Sequence, residues 1–303
     1  MKYVSKINEM ALSDPAGLIK KAELRYSECL DDIAQSIFEA REKRIVMLAG
    51  PSASGKTTTA SLIAERLGAR GAKAFTVSLD DFYHNQRDAI LGEDGKPDYE
   101  TVRALDVELI DSCLDEIIRT GTTRLPRFDF ASGTRSGFSQ PITLGKDDVL
   151  IVEGIHALNP VITDELPDDN LMKLYVSVSS RIADDRGEVI MSKRDLRFVR
   201  RLVRDYYHRA SSVERTYGLW DSVQRGEDKY IFPFSHLAAA KIDSLHAYEP
   251  CVFRTLAVPM LESVAPGSEW FNEAHMMTEK LKAFAALPTE MIPASSLLRE
   301  FMQ

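Results

Sequence analysis

The segment Gly50-Pro51-Ser52-Ala53-Ser54-Gly55-Lys56-Thr57 sets two glycines five positions apart and follows the second directly with a lysine and a hydroxyl residue. Ahead of it, Ile45-Val46-Met47-Leu48-Ala49 has the composition of a buried strand. Behind it, Ala60, Ile63, Ala64 and Leu67 fall at i, i+3, i+4 and i+7, one apolar face of a helix ending near Gly68 or Gly71. The order strand, loop, helix is the setting in which such a loop turns its backbone N–H groups toward phosphate oxygens, with the positive end of the helix dipole behind them. The two glycines permit the tight path. Lys56 can then reach the outer phosphates, and the Thr57 hydroxyl can ligate a bridging magnesium ion. The alternative is a glycine-rich turn that binds nothing.

Composition narrows the partners. The 303 residues, 44% apolar and 28% charged, suffice for one large or two small domains with a substantial core. A net charge of −8 speaks against a general nucleic-acid binder, whereas a small anion needs only local positive charge. Cys29, Cys113 and Cys251 are odd in number and far apart, which suggests neither a disulfide framework nor a metal cluster. No apolar run approaches 18 residues, and the first residues lack a signal-peptide core. The expectation is a soluble, cytoplasmic protein with no membrane or nucleic-acid partner, and a homo-oligomer is compatible with it.

Residues 1–43 read as a charged helical appendage with Leu24, Leu30, Ile33, Ile37 and Phe38 inward. From 45 onward, short apolar runs at Ile45–Ala49, Ala74–Leu79, Val149–Val152 and Leu174–Val178 alternate with helical stretches. That rhythm predicts an α/β fold of three layers, a mostly parallel sheet between helices. The expected organisation is a helical appendage over 1–43, a main domain over 44–255 with a lid at about 184–215, and a helical and loop extension over 256–303, of which the tail from about 265 onward contributes no chemistry. Residues 92–97 and 131–134 read as exposed loops.

In parallel sheets, ligands bind beyond the carboxyl ends of the strands, so residues just past each run matter most. The second run leads into Asp80 and Asp81. Asp80 is a candidate general base toward a hydroxyl group attacking phosphorus, or simply a helix cap. The third run ends in Glu153, a candidate for the metal's surroundings. His156 has no partners at metal-ligand spacing and reads as structural or rim. Between 194 and 209, Arg194, Arg197, Arg200, Arg201, Arg204 and Arg209 face only Asp195 and Asp205. With Leu196, Val199 and Val203 inward, the arginines share the outer faces. They read as a phosphate-clamping lid, Arg204 and Arg200 foremost, rather than as solvated surface.

Taken together and in order, the loop through Thr58, Ser78-Leu79-Asp80-Asp81-Phe82-Tyr83, Phe128-Asp129-Phe130, Glu153-Gly154-Ile155 and Arg200-Arg201-Leu202-Val203-Arg204-Asp205 resemble the uridine kinase and phosphoribulokinase family of P-loop kinases, over about 45–250. The C-terminal Ile292–Phe301 also looks like the closing segment of its uridine kinase-like branch. The resemblance implies ATP gripped by residues 50–58, with Thr57, Asp80 and Glu153 around magnesium and Asp80 as base toward a ribose 5'-hydroxyl. It implies that Asp98 binds ribose, that Tyr83, Phe128, Phe130 and Arg135 line the acceptor pocket, and that Arg200, Arg204 and Arg209 close over ATP. Phe128 and Gly133 stand where the uridine-cytidine kinases use a tyrosine and a histidine on the base, and Ser211 and Ala239 replace an arginine and an acid. The resulting expectation is a nucleoside 5'-kinase acting on uridine or cytidine. Its rivals are the same chemistry on a sugar phosphate or pantothenate-like alcohol, and an ATP-sensing regulatory module.

Overall fold

A computed structural model describes residues 2–92, 95 and 98–302. Its centre is a five-stranded, wholly parallel sheet of β1 (Ile45–Ala49), β2 (Ala74–Ser78), β3 (Val149–Gly154), β4 (Leu171–Ser177) and β5 (Ala240–Asp243), in the order β5-β4-β1-β3-β2. Every residue of β1 and β3 is buried, because helices cover both faces and a central parallel strand has no side left for water. Side chains alternate between the faces. Val46, Leu48, Ile151 and Val176 enter one core with the N-terminal and C-terminal helices. Ile45, Met47, Leu150 and Val152 enter a second, with the helix Val107–Thr120. In this register Glu153 lies opposite both Leu48 and Ser78. The phosphate loop, Glu153 and the segment after Ser78 therefore emerge at one rim of the sheet.

The long helix Pro15–Glu39 lies along the helix Lys56–Ala69 that follows the loop. Its buried stripe runs through Ala22, Tyr26, Leu30, Ile33 and Ile37, and the Tyr26 hydroxyl shares a 2.7 Å hydrogen bond with Thr59 Oγ1. Leu24, expected inward, falls outside that stripe and is exposed. This helix shares one continuous core with the sheet, so residues 1–43 pack onto the main body. The expected boundary at 255/256 falls within the helix Glu249–Glu262. Of the expected loop over 92–97, residues 93, 94, 96 and 97 lie outside the described residues.

The arginine-rich stretch is the helix Lys193–Arg209. Its start is set by a capping box: Ser192 Oγ accepts the Asp195 N–H at 3.1 Å, and Asp195 Oδ2 accepts the Ser192 N–H at 2.8 Å. The arginines do not share an outer face, because Arg197, Arg200 and Arg201 are buried.

Candidate active site

The phosphate loop is braced from behind. Ala53 and Gly55 take positive φ angles of 57° and 89°. A Cβ on Gly50 would come within 2.2 Å of the Val176 carbonyl oxygen, so the strand-to-loop turn requires glycine there. Arg197 Nε donates to the Ser52 carbonyl at 2.9 Å, while the Ser52 N–H donates to Glu227 Oε1 at 3.1 Å. Arg197 and Glu227 are themselves paired in the interior. Arg200 forks onto Glu249 at 3.1 and 2.7 Å, reaches the Ala53 carbonyl at 3.3 Å and donates to the Ser244 carbonyl at 2.8 Å. These contacts hold loop carbonyls toward protein, so they cannot swing to face an incoming anion.

Arg200 is thus a brace and does not border the cleft, contrary to the lid role expected of it. It is fully buried and its guanidinium is saturated by protein acceptors. Its place on the helix explains this: Leu196, Arg200 and Val203 share one i, i+4, i+7 stripe, the buried one. Arg200→Ala would strand the buried Glu249 carboxylate and is expected to cost about 3–5 kcal/mol of stability, measured by chemical denaturation.

In front of the loop lies a cleft of about 480 Å³, bordered by Ser52 through Thr57, Asp80, Glu153 and Arg201, Arg204 and Arg209. Gly50 and Pro51 shape the turn behind it and do not border it. Thr57 Oγ1 donates to Glu153 Oε1 at 3.1 Å. Burial pushes the Glu153 carboxyl above its ordinary range, Lys56 pulls it back, and Asp80 pushes it up again. Asp80 borders the cleft and is exposed along that opening. Desolvation raises its carboxyl, against the pull of Lys56, and Asp81 adds to the rise. A carboxylate so placed is readier than a free one to take up a proton.

Two carboxylates and a hydroxyl form an oxygen donor set, which suits a hard cation such as magnesium. Among the described residues, no group of three or more His, Cys, Asp or Glu side chains is arranged to hold a metal unaided. The residues therefore fit an ion whose shell is completed by phosphate and water rather than by a protein cage.

Asp205, itself buried, gathers the arginines on the cleft's far wall: Arg204 Nη2 at 2.8 Å, Arg201 Nε at 3.2 Å and Arg209 Nη1 at 3.6 Å. Arg201 also donates to Ser52 Oγ at 2.9 Å. One carboxylate against three guanidinium groups leaves the wall positive. Arg201 takes the cleft position that sequence reasoning gave to Arg200, one residue and about 100° around the helix away.

Another part of the lining is acidic and aromatic. Tyr83, Asp98, Tyr99 and Glu100 form it. Asp98 Oδ1 accepts the Glu100 N–H at 3.0 Å, a turn-forming bond that leaves the acid part-occupied. Glu100, which sequence reasoning missed, borders the cleft beside it. Burial and the nearby Glu227 push its carboxyl up to about 7, with Arg201 opposing. Three expected pocket residues do not border the cleft. Arg135 is spent on Asp106 at 3.0 Å. Phe128 stands behind Tyr83, ring centroids 6.1 Å apart, because Asp81 ties its N–H into the hairpin formed by Pro126–Asp129 and Thr134–Phe138. Phe130 packs edge-on to Phe128 and is 65% exposed. His156 is buried against Tyr230, and desolvation lowers it to about 4, so it stays neutral.

Also unforeseen is Glu300, from the C-terminal segment, which borders the cleft and bonds Thr58. The profile of the Phosphoribulokinase / Uridine kinase family matches residues 45–249, which span the sheet, the loop and the arginine helix. The chain belongs to that family. It is accordingly a kinase, transferring a phosphoryl group to an alcohol group of a small molecule. Among its relatives, a uridine kinase of Macrococcus caseolyticus (strain JCSC5402) is 33% identical over 170 residues, 56% of this chain and 72% of that one. A uridine kinase of Staphylococcus aureus (strain JH9) is 30% identical over 190 residues, 62% of this chain and 82% of that one. A D-glycerate 3-kinase structure from Cryptococcus neoformans superposes with a TM-score of 0.49 at 15% identity, over 68% of this chain and 89% of that one, too distant to bear on chemistry. No helix of this kinase among the described residues is long and apolar enough to cross a membrane, and its three cysteines are unpaired.

Proposed function

We propose that this kinase uses ATP and magnesium to phosphorylate the 5'-hydroxyl of a nucleoside, uridine or cytidine foremost, in the cytoplasm. The observation that carries the reading is the meeting of Lys56, Asp80 and Glu153 on one cleft whose lining also carries Arg201, Arg204 and Arg209 and the acids Asp98 and Glu100. ATP would lie with its phosphates on the loop, Lys56 and the Arg201, Arg204 and Arg209 wall. The acceptor hydroxyl would stand beside Asp80. Its oxygen attacks the terminal phosphorus as the bond to the leaving ADP oxygen breaks, and its proton passes to the Asp80 carboxylate. Bound magnesium would supply charge neutralisation on the outer phosphates, with Thr57, Asp80 and Glu153 as the groups nearest it. The positive groups are held in place before the reaction begins, so little reorganisation is needed as charge spreads.

Glu100 and Asp98 favour a neutral polyhydroxyl acceptor, since carboxyl groups in the lining can take hydrogen bonds from a sugar's hydroxyls. The same acids would repel an acceptor that already carries phosphate, which weighs against a sugar phosphate. A second reading, another neutral alcohol, draws on the side chains around the hairpin. Phe128 offers no polar group, and Gly133, at a φ of 64°, is closed over by Gln86, which a Cβ would meet at 2.7 Å. Neither Phe128 nor Gly133 supplies a side-chain hydrogen bond to a pyrimidine base. The test is a panel of nucleosides and small alcohols, scored by acceptor-stimulated ADP release from the purified protein. Uridine or cytidine should give saturable stimulation. Stimulation by non-nucleoside alcohols alone would establish the second reading, and none by any acceptor would leave an ATP-binding regulatory module.

A further inference from the structure

The C-terminal segment carries a carboxylate into the phosphate loop. Glu300 Oε2 accepts the Thr58 hydroxyl at 2.6 Å and the Thr58 N–H at 3.3 Å. That N–H belongs to the first turn of the helix Lys56–Ala69, whose leading N–H groups have no acceptor within the helix and carry the positive end of its dipole. It is therefore a donor of the kind a phosphate oxygen takes. Carboxylate and phosphate oxygens are alike as anionic acceptors, and only one can hold this donor well. Among the described residues, no Lys, Arg or His forms an ion pair with Glu300, so the loop and its helix are what hold the charge.

The backbone bearing Glu300 is fixed. Leu297, Leu298 and Phe301 are fully buried around it. Leu297 packs on the loop so closely that a Cβ at Gly55 would lie 2.5 Å from its Cδ1. The Phe301 ring lies under the Arg200 guanidinium at 5.2 Å. Any exchange at Thr58 thus falls to the Glu300 side chain, which can rotate out, rather than to the segment.

We propose that Glu300 is an internal occupant of the donor phosphate site, which an incoming nucleoside triphosphate must displace from Thr58. The carboxylate keeps the loop's positive end satisfied when no nucleotide is bound, and its expulsion sets back donor affinity. This rests on the reading of the loop as a triphosphate site.

The test is calorimetric titration of ATP and magnesium, without acceptor, into the full-length protein and its Glu300→Gln and Glu300→Ala variants. Glu300→Gln keeps the side chain's size, so it removes the charge without opening a cavity. Both variants should bind ATP at least about tenfold more tightly, because a charged competitor for Thr58 and its repulsion of phosphate are gone. Unchanged affinity in the variants would reduce Glu300 to a helix cap, and weaker affinity would make it a nucleotide ligand; either overturns the proposal. Failure of the unaltered protein and both variants alike to bind ATP would instead overturn the underlying reading of the loop.

Discussion

Replacing Asp80 with Asn lowers turnover by about 10²- to 10⁴-fold, the range for loss of a positioned general base, while leaving ATP affinity within a few-fold. Asparagine matches the carboxylate in shape but cannot take the acceptor's proton. ATP affinity survives because the loop, Lys56 and the three arginines hold the phosphates without Asp80. The pH profile carries a second signature. Asp80 works only when ionised, and desolvation raises its carboxyl, so activity falls as pH drops through a range above that of an ordinary aspartate. Steady-state rates across pH, beside ATP titrations of both proteins, measure both effects. Near-normal turnover in Asp80→Asn would remove the base assignment and leave Asp80 to the metal, since Ser78 and not Asp80 caps the short helix there.

Lys56→Ala removes the positive charge that lies among Asp80, Glu153 and Glu100 and influences all three. Turnover should fall by about 10²- to 10³-fold or more, since this ammonium offsets the charge that spreads over the transferred phosphoryl group. The carboxyl groups should also become harder to ionise, because the pull that Lys56 exerts on each is lost. The acidic limb of any residual activity should therefore move to higher pH. Single-turnover phosphoryl transfer at saturating ATP separates this chemical loss from weaker binding. A variant that lost only ATP affinity, with its chemical step intact, would rule out a transition-state role for Lys56.

Glu100 shows how a site residue escapes a reading along the chain. It lies two residues past Asp98, and either acid fits a loop that approaches the acceptor. What separates them is that the Asp98 side chain closes a local turn while Glu100 is pressed toward Glu227 and Arg201, which come from helices more than 90 residues away. The arginine helix carries the distinction in its own spacing. Its i, i+4, i+7 spacing groups Arg200 with Leu196 and Val203, and a buried stripe of that kind turns an arginine into a brace. For Glu300 the only signal was its place in the Ile292–Phe301 segment, which says nothing of a contact with a loop about 240 residues away.

The parallel sheet, the phosphate loop and the alternation of strand and helix are legible along the chain, because they follow from hydrophobic period, glycine placement and short-range spacing. Only the packing of remote segments settled which arginines brace the loop and which face the cleft, which acids border it, and where the C-terminal carboxylate comes to rest. Burial and electrostatic neighbours arise from segments remote in sequence, and a side chain's chemistry depends on them as much as on its own identity.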